Sequence, residues 1–152
     1  MTSARRDRLT AGPKFLFVYG TLQFDDVLNA LLGRIPVGRP VSAPGWRAAA
    51  LEKRLYPGLV AAPDAAATGL LLTDLSIEEW AILDAFEDEK YDLREVALAS
   101  GERGWAYVWP LGEVQPEDWD ANEFAALHLQ QYAARCARIS ARLTSEGIHP
   151  AR

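Results

Sequence analysis

The sequence predicts an α+β domain in which a small mixed β-barrel is flanked by helices, and three observations carry this prediction. The candidate elements follow one another in the order β, α, several β, α, β, β, α. Glycine and proline divide residues 34–70 into short apolar runs, which are typical of curved strands able to close into a barrel. Apolar residues make up 49% and charged residues 24% of the 152 residues, as in an ordinary globular domain.

The length of the chain favours a single domain with one hydrophobic core. We assign this domain to residues 14–145, between a disordered N-terminal tail at residues 1–13 and a C-terminal tail at residues 146–152. The only basic cluster is at residues 5–8, where a solvated, mobile end is the expected structure. The formal charge of -5 argues against a general affinity for nucleic acid, whose phosphates are bound by clustered Lys and Arg.

The first element is a buried strand that ends in a small polar loop. Residues 15–18 are large and apolar and lie between Pro13 and Gly20, which is typical of a strand buried on both faces. Residues 19–22 follow it directly. Their backbone N–H groups can bind an anion, with Gly20 allowing a close approach. An ordinary strand-to-helix connection fits the same residues.

A short helix and a series of strands follow the loop. Asp25 and Asp26 predict the start of a helix, because acidic side chains favour its positive end, and Gly33 predicts its stop. Residues 34–70 then form short, curved strands, and residues 69–72 another strand.

The next helix has a clear start, because Ser76 and Glu79 fit a capping box. Its apolar arc consists of four side chains: Trp80, Ile82, Leu83 and Phe86. At helical spacing Glu87 falls within this arc and Asp84 outside it. A carboxylate on an apolar arc costs desolvation free energy, so Glu87 is a candidate functional group. The alternative is a boundary residue that reaches solvent or pairs with an arginine such as Arg94.

The last part of the chain predicts a hairpin and a long helix. Residues 91–98 and 104–110 alternate as two strands, with Trp105, Tyr107 and Trp109 on one face, where core packing is favoured over a pocket. Residues 116–118 predict the start of the final helix. Its apolar face is spaced by three and four residues: Phe124, Leu127, His128, Tyr132, Cys136, Ile139 and Leu143.

The sequence predicts no metal site, no internal disulfide bond and no membrane-spanning segment. Cys136 is the single cysteine, and only His128 and His149 are available to join it in a metal site. His128 and Cys136 are about two helical turns apart, so core packing is favoured over mutual activation. No apolar run reaches the roughly 20 residues that span a bilayer, and no signal core is evident, so we expect a cytoplasmic protein.

Four segments in order resemble the gamma-glutamylcyclotransferase-like family, in particular its branch of plant avirulence-induced proteins. They are "FVYGTLQ", "RLYPGLV", "LDAFEDEKYDLREVAL" and "GWAYVWP", and the resemblance covers residues 15–110, with a weaker likeness in "HLQQYAARCARI". The resemblance implies a small mixed barrel with flanking helices. It also implies no cofactor and an active cavity at the loop after the first strand.

The resemblance also implies particular site residues. Glu87 matches the catalytic glutamate of the family's Leu-Asp-x-x-Glu pattern. The implied substrate-binding residues are Tyr19, Gly20, Thr21, Leu22, Tyr56 and Tyr91, with the backbone N–H groups of the loop holding the α-carboxylate of the substrate. The family's usual glycine after the glutamate is Asp88 here, which leaves the identity of the substrate open.

The implied reaction is intramolecular and needs no protein nucleophile. The α-amine of a γ-glutamyl group attacks its own side-chain amide, giving 5-oxoproline and a free amine or amino acid, with Glu87 as general acid and base. The expected partner is therefore a small γ-glutamyl compound. Two alternatives stay open: a related enzyme for γ-glutamyl-amines or a γ-glutamylated intermediate, and a non-catalytic binding or regulatory module with the same cavity.

Overall fold

The structure is a computed structural model that describes Leu9 and residues 15–110 and 112–145, without the side chains of residues 144 and 145. The predicted tails, residues 1–13 apart from Leu9 and residues 146–152, lie outside the described residues. None of the described helices combines the length and the apolar character that crossing a lipid bilayer requires.

The described residues form one six-stranded sheet with the order β4-β5-β1-β3-β2-β6. The strands are β1 (Leu16–Val18), β2 (Gly38–Leu51), β3 (Gly58–Leu72), β4 (Asp92–Ala97), β5 (Arg103–Val108) and β6 (Val114–Asp118). Strand β5 pairs in parallel with β1 and β3, and the other pairs are antiparallel. The sheet is therefore mixed, as predicted.

Strand β3 gives the sheet its curl. Its C-terminal end pairs with β1, where Leu70 lies opposite Val18. Its N-terminal end reaches β5 instead, where Leu59 lies opposite Val108. Because β3 pairs with β1 at one end and with β5 at the other, the sheet curls into a half-barrel. The loop that follows β1 lies next to the point where β3 meets β5.

The prediction of several short strands between residues 34 and 70 is wrong, because β2 and β3 are long and continuous. Pro40 and Pro44 lie inside β2, and the register shifts between Pro44 and Trp46, where Gly45 has a φ of 87°. A bulge of this kind bends a strand without ending it. Within the described residues β6 pairs with β2 only near Ala49 and Leu51. The part of β2 that contains Pro40 and Pro44 therefore has an edge free of other described strands, where a proline without an N–H group is tolerated.

Four α-helices lie in the described part of the chain: α1 (Asp25–Leu32), α2 (Ile77–Phe86), α3 (Ala121–Leu127) and α4 (Leu129–Ser145). The predicted stop of α1 at Gly33 is confirmed by its left-handed φ of 77°. The predicted capping box of α2 is confirmed as well, because Ser76 accepts from the Glu79 N–H and the Glu79 side chain accepts from the Ser76 N–H.

The final helix begins later than predicted and is interrupted. Residues 116–118 belong to strand β6, and the helix begins after Asp120, whose side chain accepts a hydrogen bond from the Glu123 N–H (3.0 Å). His128 leaves helical geometry with a φ of -131° and separates α3 from α4. Leu127 lies at this break and is 65% exposed, so it does not join the predicted apolar face.

The buried face of α2 differs from the predicted arc. Asp84, expected outside the arc, is only 4% exposed and accepts a hydrogen bond of 2.8 Å from the Tyr107 hydroxyl. Asp84 lies one turn after the buried Trp80 and therefore shares its face. A pattern of apolar residues alone cannot reveal a buried carboxyl group that has a polar partner on another strand.

Candidate functional site

A cavity of about 390 Å³ opens between the loop after β1, the end of α2 and helix α4. Four groups of residues line it: residues 17–22, residues 53–57, residues 86–88 with Tyr91 and Tyr107, and Tyr132, Arg135, Cys136 and Ile139 of α4. All of the predicted site residues are among them. The structure thus brings together segments from both ends of the described chain.

Glu87 lies at the end of α2 rather than inside it. The helix ends at Phe86, and Glu87 has the extended φ and ψ of -68° and 141°, while its N–H still bonds to the Leu83 carbonyl (3.0 Å). This ending turns the half-buried Glu87 into the cavity wall. The sequence predicts Glu87 within the apolar arc of the helix, but in the structure the helix has already ended, and Glu87 reaches the cavity wall from the extended residue that follows it.

The Glu87 carboxylate acts electrostatically on the groups around the cavity. Burial, followed by the charge of Glu87, raises the pKa of Tyr19. Burial is also the main reason why the pKa of Tyr91 and that of Tyr132 are raised, and the Glu87 charge adds to both shifts. For the Cys136 thiol, burial raises the pKa to about 11, the Arg135 charge opposes the shift and the Glu87 charge adds to it.

Hydrogen bonds from Gln23 to carbonyl groups hold the loop at residues 19–22 in place. The Gln23 side-chain amide donates to the carbonyls of Tyr19 (2.6 Å) and Gly20 (3.2 Å), and the Gln23 N–H also donates to the Gly20 carbonyl (3.1 Å). These bonds use the oxygens of the loop and not its N–H groups. A short 3-10 turn, Thr21–Gln23, leads the chain toward α1.

The glycine of this loop is required by a neighbouring proline. A Cβ atom at Gly20 would lie 2.8 Å from both Cδ and Cγ of Pro57, and a proline ring cannot rotate away. From the sequence, Gly20 is expected to allow the close approach of a ligand. In the structure the contact that excludes a side chain comes from the protein itself.

The aromatic residues predicted to bind substrate also hold the cavity walls together. The Tyr19 hydroxyl donates to the Tyr107 carbonyl and accepts from the Leu59 N–H (3.2 Å). The Tyr91 hydroxyl donates to the carbonyl of Pro57 (2.5 Å). The two hydroxyl protons are thus used inside the protein, while both residues line the cavity.

Asp88 joins the segment at residues 53–57 to the end of α2. It accepts hydrogen bonds from the Tyr56 hydroxyl (2.5 Å) and from the Lys90 N–H (2.8 Å), and Arg54 approaches its Oδ2 to 3.7 Å. Burial disfavours the charge of Asp88, but these partners outweigh it and lower the pKa of Asp88. Burial and the Asp88 contact raise the pKa of Tyr56 to about 12.

Several cavity residues were missed by the sequence interpretation. Lys53, Arg54 and Arg135 bring positive charge to the lining, and Tyr132 contacts the loop through Thr21, whose Oγ1 lies 3.5 Å from the tyrosine hydroxyl. The predicted core role of Cys136 is confirmed by its 1% exposure. The spacing of residues 132, 135, 136 and 139 was the available signal, because i, i+3, i+4 and i+7 share a helix face.

The predicted absence of a metal site concerned Cys136 and the histidines. Within residues 15–110 and 112–145, no group of three or more His, Cys, Asp or Glu side chains is arranged to hold a metal ion. The charged groups that line the cavity are the Glu87 and Asp88 carboxylates and three cationic side chains, and hydroxyl groups and the backbone of the loop add neutral polar groups.

Two kinds of sequence comparison relate the chain to known proteins. The family profile described as "Gamma-glutamyl cyclotransferase, AIG2-like" matches residues 16–123. AIG2-like protein D of Arabidopsis thaliana is 31% identical over 126 residues, which cover 77% of this chain and 82% of the relative. AIG2-like protein A of the same plant is 28% identical over 132 residues, which cover 82% of this chain and 79% of the relative.

Solved structures show the same architecture. A solution structure of an Arabidopsis thaliana protein superposes with a TM-score of 0.61 at 25% identity, covering 91% of this chain and 95% of the other. The crystal structure of an uncharacterized protein from Pyrococcus horikoshii shares the fold, with a TM-score of 0.52 at 18% identity, and covers 78% of this chain and 98% of the other. The predicted fold class and family resemblance are therefore confirmed, and the chain belongs to the gamma-glutamyl cyclotransferase, AIG2-like family.

Proposed function

We propose that the protein is a gamma-glutamylcyclotransferase that converts the γ-glutamyl group of a small molecule into 5-oxoproline and releases an amine or amino acid. The observation that carries the proposal is the shared cavity of Glu87 and the loop at residues 19–22. A carboxylate for proton transfer and a backbone loop for an anionic group are the two components that this cyclisation requires. Family membership supports the same reaction class.

The loop receives the α-carboxylate of the γ-glutamyl group. Its carbonyls are engaged by Gln23, and successive backbone N–H groups are a suitable partner for a carboxylate. Thr21 and Leu22 are 6% and 4% exposed, so the glutamyl end of the substrate is bound in the more deeply buried part of the cavity. Tyr56 and Tyr91 contact the substrate with their rings.

Glu87 transfers the protons. The substrate α-ammonium must lose a proton before its nitrogen attacks the γ-carbonyl carbon, and the leaving nitrogen must gain one as the amide C–N bond breaks. A half-buried carboxylate can accept the first proton and return it to the leaving nitrogen. The ring nitrogen loses its second proton after the attack, and the released amine takes up one proton to become an ammonium ion, so the reaction balances without a protein nucleophile. Holding the chain folded for ring closure supplies the larger part of the acceleration, since well-oriented intramolecular attack is worth roughly 7–11 kcal/mol.

The proposal is tested by incubating the purified protein with γ-glutamyl dipeptides, γ-glutamyl-amines and glutathione and measuring 5-oxoproline by chromatography. We expect release from at least one compound. Binding of these compounds is measured in parallel by calorimetry. Protein that binds members of the panel but never forms 5-oxoproline is a binding module, and the proposed enzymatic activity is then wrong.

A further inference from the structure

The lining of the cavity has a positive charge balance, whereas the whole chain is negatively charged. The formal charge of the chain is -5, yet the charged residues that line the cavity are Lys53, Arg54, Arg135, Glu87 and Asp88, three cations against two anions. A cavity with this charge balance attracts an anionic group more strongly than the rest of the negatively charged molecule does.

One of the three cations is already engaged by protein groups. Arg54 contacts the Asp88 carboxylate (3.7 Å) and the Glu113 carboxylate (3.2 Å), and its guanidinium lies 4.8 Å from the centre of the Trp109 ring. This side chain therefore belongs to the cavity wall. Its charge is largely used within the protein.

The other two cations lack such partners in the described part of the chain. Neither Lys53 nor Arg135 forms an ion pair with a described carboxylate. Both are exposed, so they lie at the mouth of the cavity and not at its buried end. They approach it from different elements, Lys53 from the turn after β2 and Arg135 from helix α4.

The position of Arg135 is set by the helix. It lies three residues after Tyr132 and four before Ile139, and all three residues line the cavity, as expected for one face of a helix. Burial raises the pKa of the Cys136 thiol, the charge of Arg135 opposes this shift and the charge of Glu87 adds to it. The guanidinium and the carboxylate are therefore both within electrostatic range of the same buried sulfur atom.

We propose that Arg135, assisted by Lys53, binds a carboxylate on the leaving group, so that the preferred substrates are γ-glutamyl amino acids rather than γ-glutamyl-amines without an acidic group. This inference rests on the proposed function, because the glutamyl end must occupy the buried loop for the leaving group to reach the mouth. A planar guanidinium is well suited to a carboxylate, which it can bind through two hydrogen bonds.

The test compares γ-glutamylalanine with γ-glutamylalaninamide, which differ chiefly by the carboxylate. The measured quantity is the ratio of their kcat/KM values in wild type, Arg135→Gln and Lys53→Gln. We expect wild type to prefer γ-glutamylalanine and Arg135→Gln to reduce the ratio about tenfold, the size of one charge-assisted hydrogen bond in a solvated position. Lys53→Gln reduces it less, and added salt weakens the wild-type preference.

Arg138→Gln is the matched control, because Arg138 lies on the same helix but does not line the cavity. An unchanged ratio in Arg135→Gln, or an equal loss in Arg138→Gln, overturns the inference while leaving cyclotransferase activity intact. If neither compound yields 5-oxoproline, the same ratio is taken from dissociation constants. A carboxylate preference that Arg135→Gln removes then supports the inference, and the proposed activity is decided separately by the full panel of γ-glutamyl compounds. Equal binding of both compounds contradicts the inference.

Discussion

The hydroxyl of Tyr56 donates a hydrogen bond of 2.5 Å to the carboxylate of Asp88, and this contact connects the two sides of the cavity mouth. Tyr56 belongs to the segment between β2 and β3, while Asp88 directly follows Glu87. The contact therefore joins the segment at residues 53–57 to the residue next to the proposed general base. Asp88 thus has a structural role at the site.

We expect Asp88→Asn to lower the free energy of unfolding by about 1–2 kcal/mol, because the negative charge that strengthens the hydrogen bonds at this partly buried position is lost. Urea denaturation measures the change. Glu95→Gln is the control, since the Glu95–Arg103 pair is exposed and 3.7 Å long and should contribute less than about 0.5 kcal/mol. Equal effects of the two substitutions contradict this account.

The stabilisation by Asp88 depends on pH in a definite direction. The folded state lowers the pKa of Asp88 below its ordinary value of 3.8, so the folded state binds fewer protons than the unfolded state in this range. The contribution is therefore complete above that value and is lost as the pH falls through the folded pKa. The difference in unfolding free energy between wild type and Asp88→Asn should stay constant near neutral pH and shrink in acid.

Gly20→Ala distorts the loop without touching a catalytic group. The new Cβ atom would lie 2.8 Å from two atoms of the Pro57 ring, and overpacking of this kind costs about 1–3 kcal/mol. Gly38→Ala is the control, because its nearest neighbours are the terminal methyl carbons of two leucine side chains at 3.3 Å and 3.5 Å, which are farther away than the proline ring atoms and can shift slightly by rotation. Thermal unfolding should show a clearly lower melting temperature only for Gly20→Ala.

Cys136 reports on occupancy of the cavity. It is the single cysteine of the chain, and its pKa is raised to about 11, so at about pH 8 only about one thiol in a thousand is ionised and alkylation is slow. The rate with iodoacetamide should rise about tenfold per pH unit below this pKa, and a bound γ-glutamyl compound should protect the thiol. Mass spectrometry follows the reaction; rapid alkylation at neutral pH that no such compound slows would contradict this prediction.

The sequence correctly predicted helix ends that are determined by a few neighbouring residues. The capping box of Ser76 and Glu79 located the start of α2, and Gly33 located the end of α1, because both motifs act through neighbouring backbone groups. The long strands β2 and β3 were missed because proline and glycine are compatible with a bulged edge as well as with a turn. Which of the two forms is decided by strand pairing across the sheet.

The candidate site was predictable only in part for a similar reason. Glu87 and the loop at residues 19–22 carry recognisable motifs, and both line the cavity. Arg135 and Lys53 are ordinary surface cations in the sequence, and only the packing of α4 beside the loop brings them to one opening. Asp84 was misplaced because its partner, Tyr107, is 23 residues away in the chain.

The account is tested most directly by the rate of 5-oxoproline formation in Glu87→Gln, measured on a γ-glutamyl compound that the wild type converts. Glutamine keeps the size and polarity of the side chain but cannot transfer the proton, so the rate should fall by roughly 10²–10⁴-fold, while the bound compound still raises the melting temperature. Glu89→Gln, an exposed neighbour outside the cavity lining, should retain the wild-type rate. Near-normal turnover by folded Glu87→Gln would contradict the assignment of Glu87 as the general acid and base.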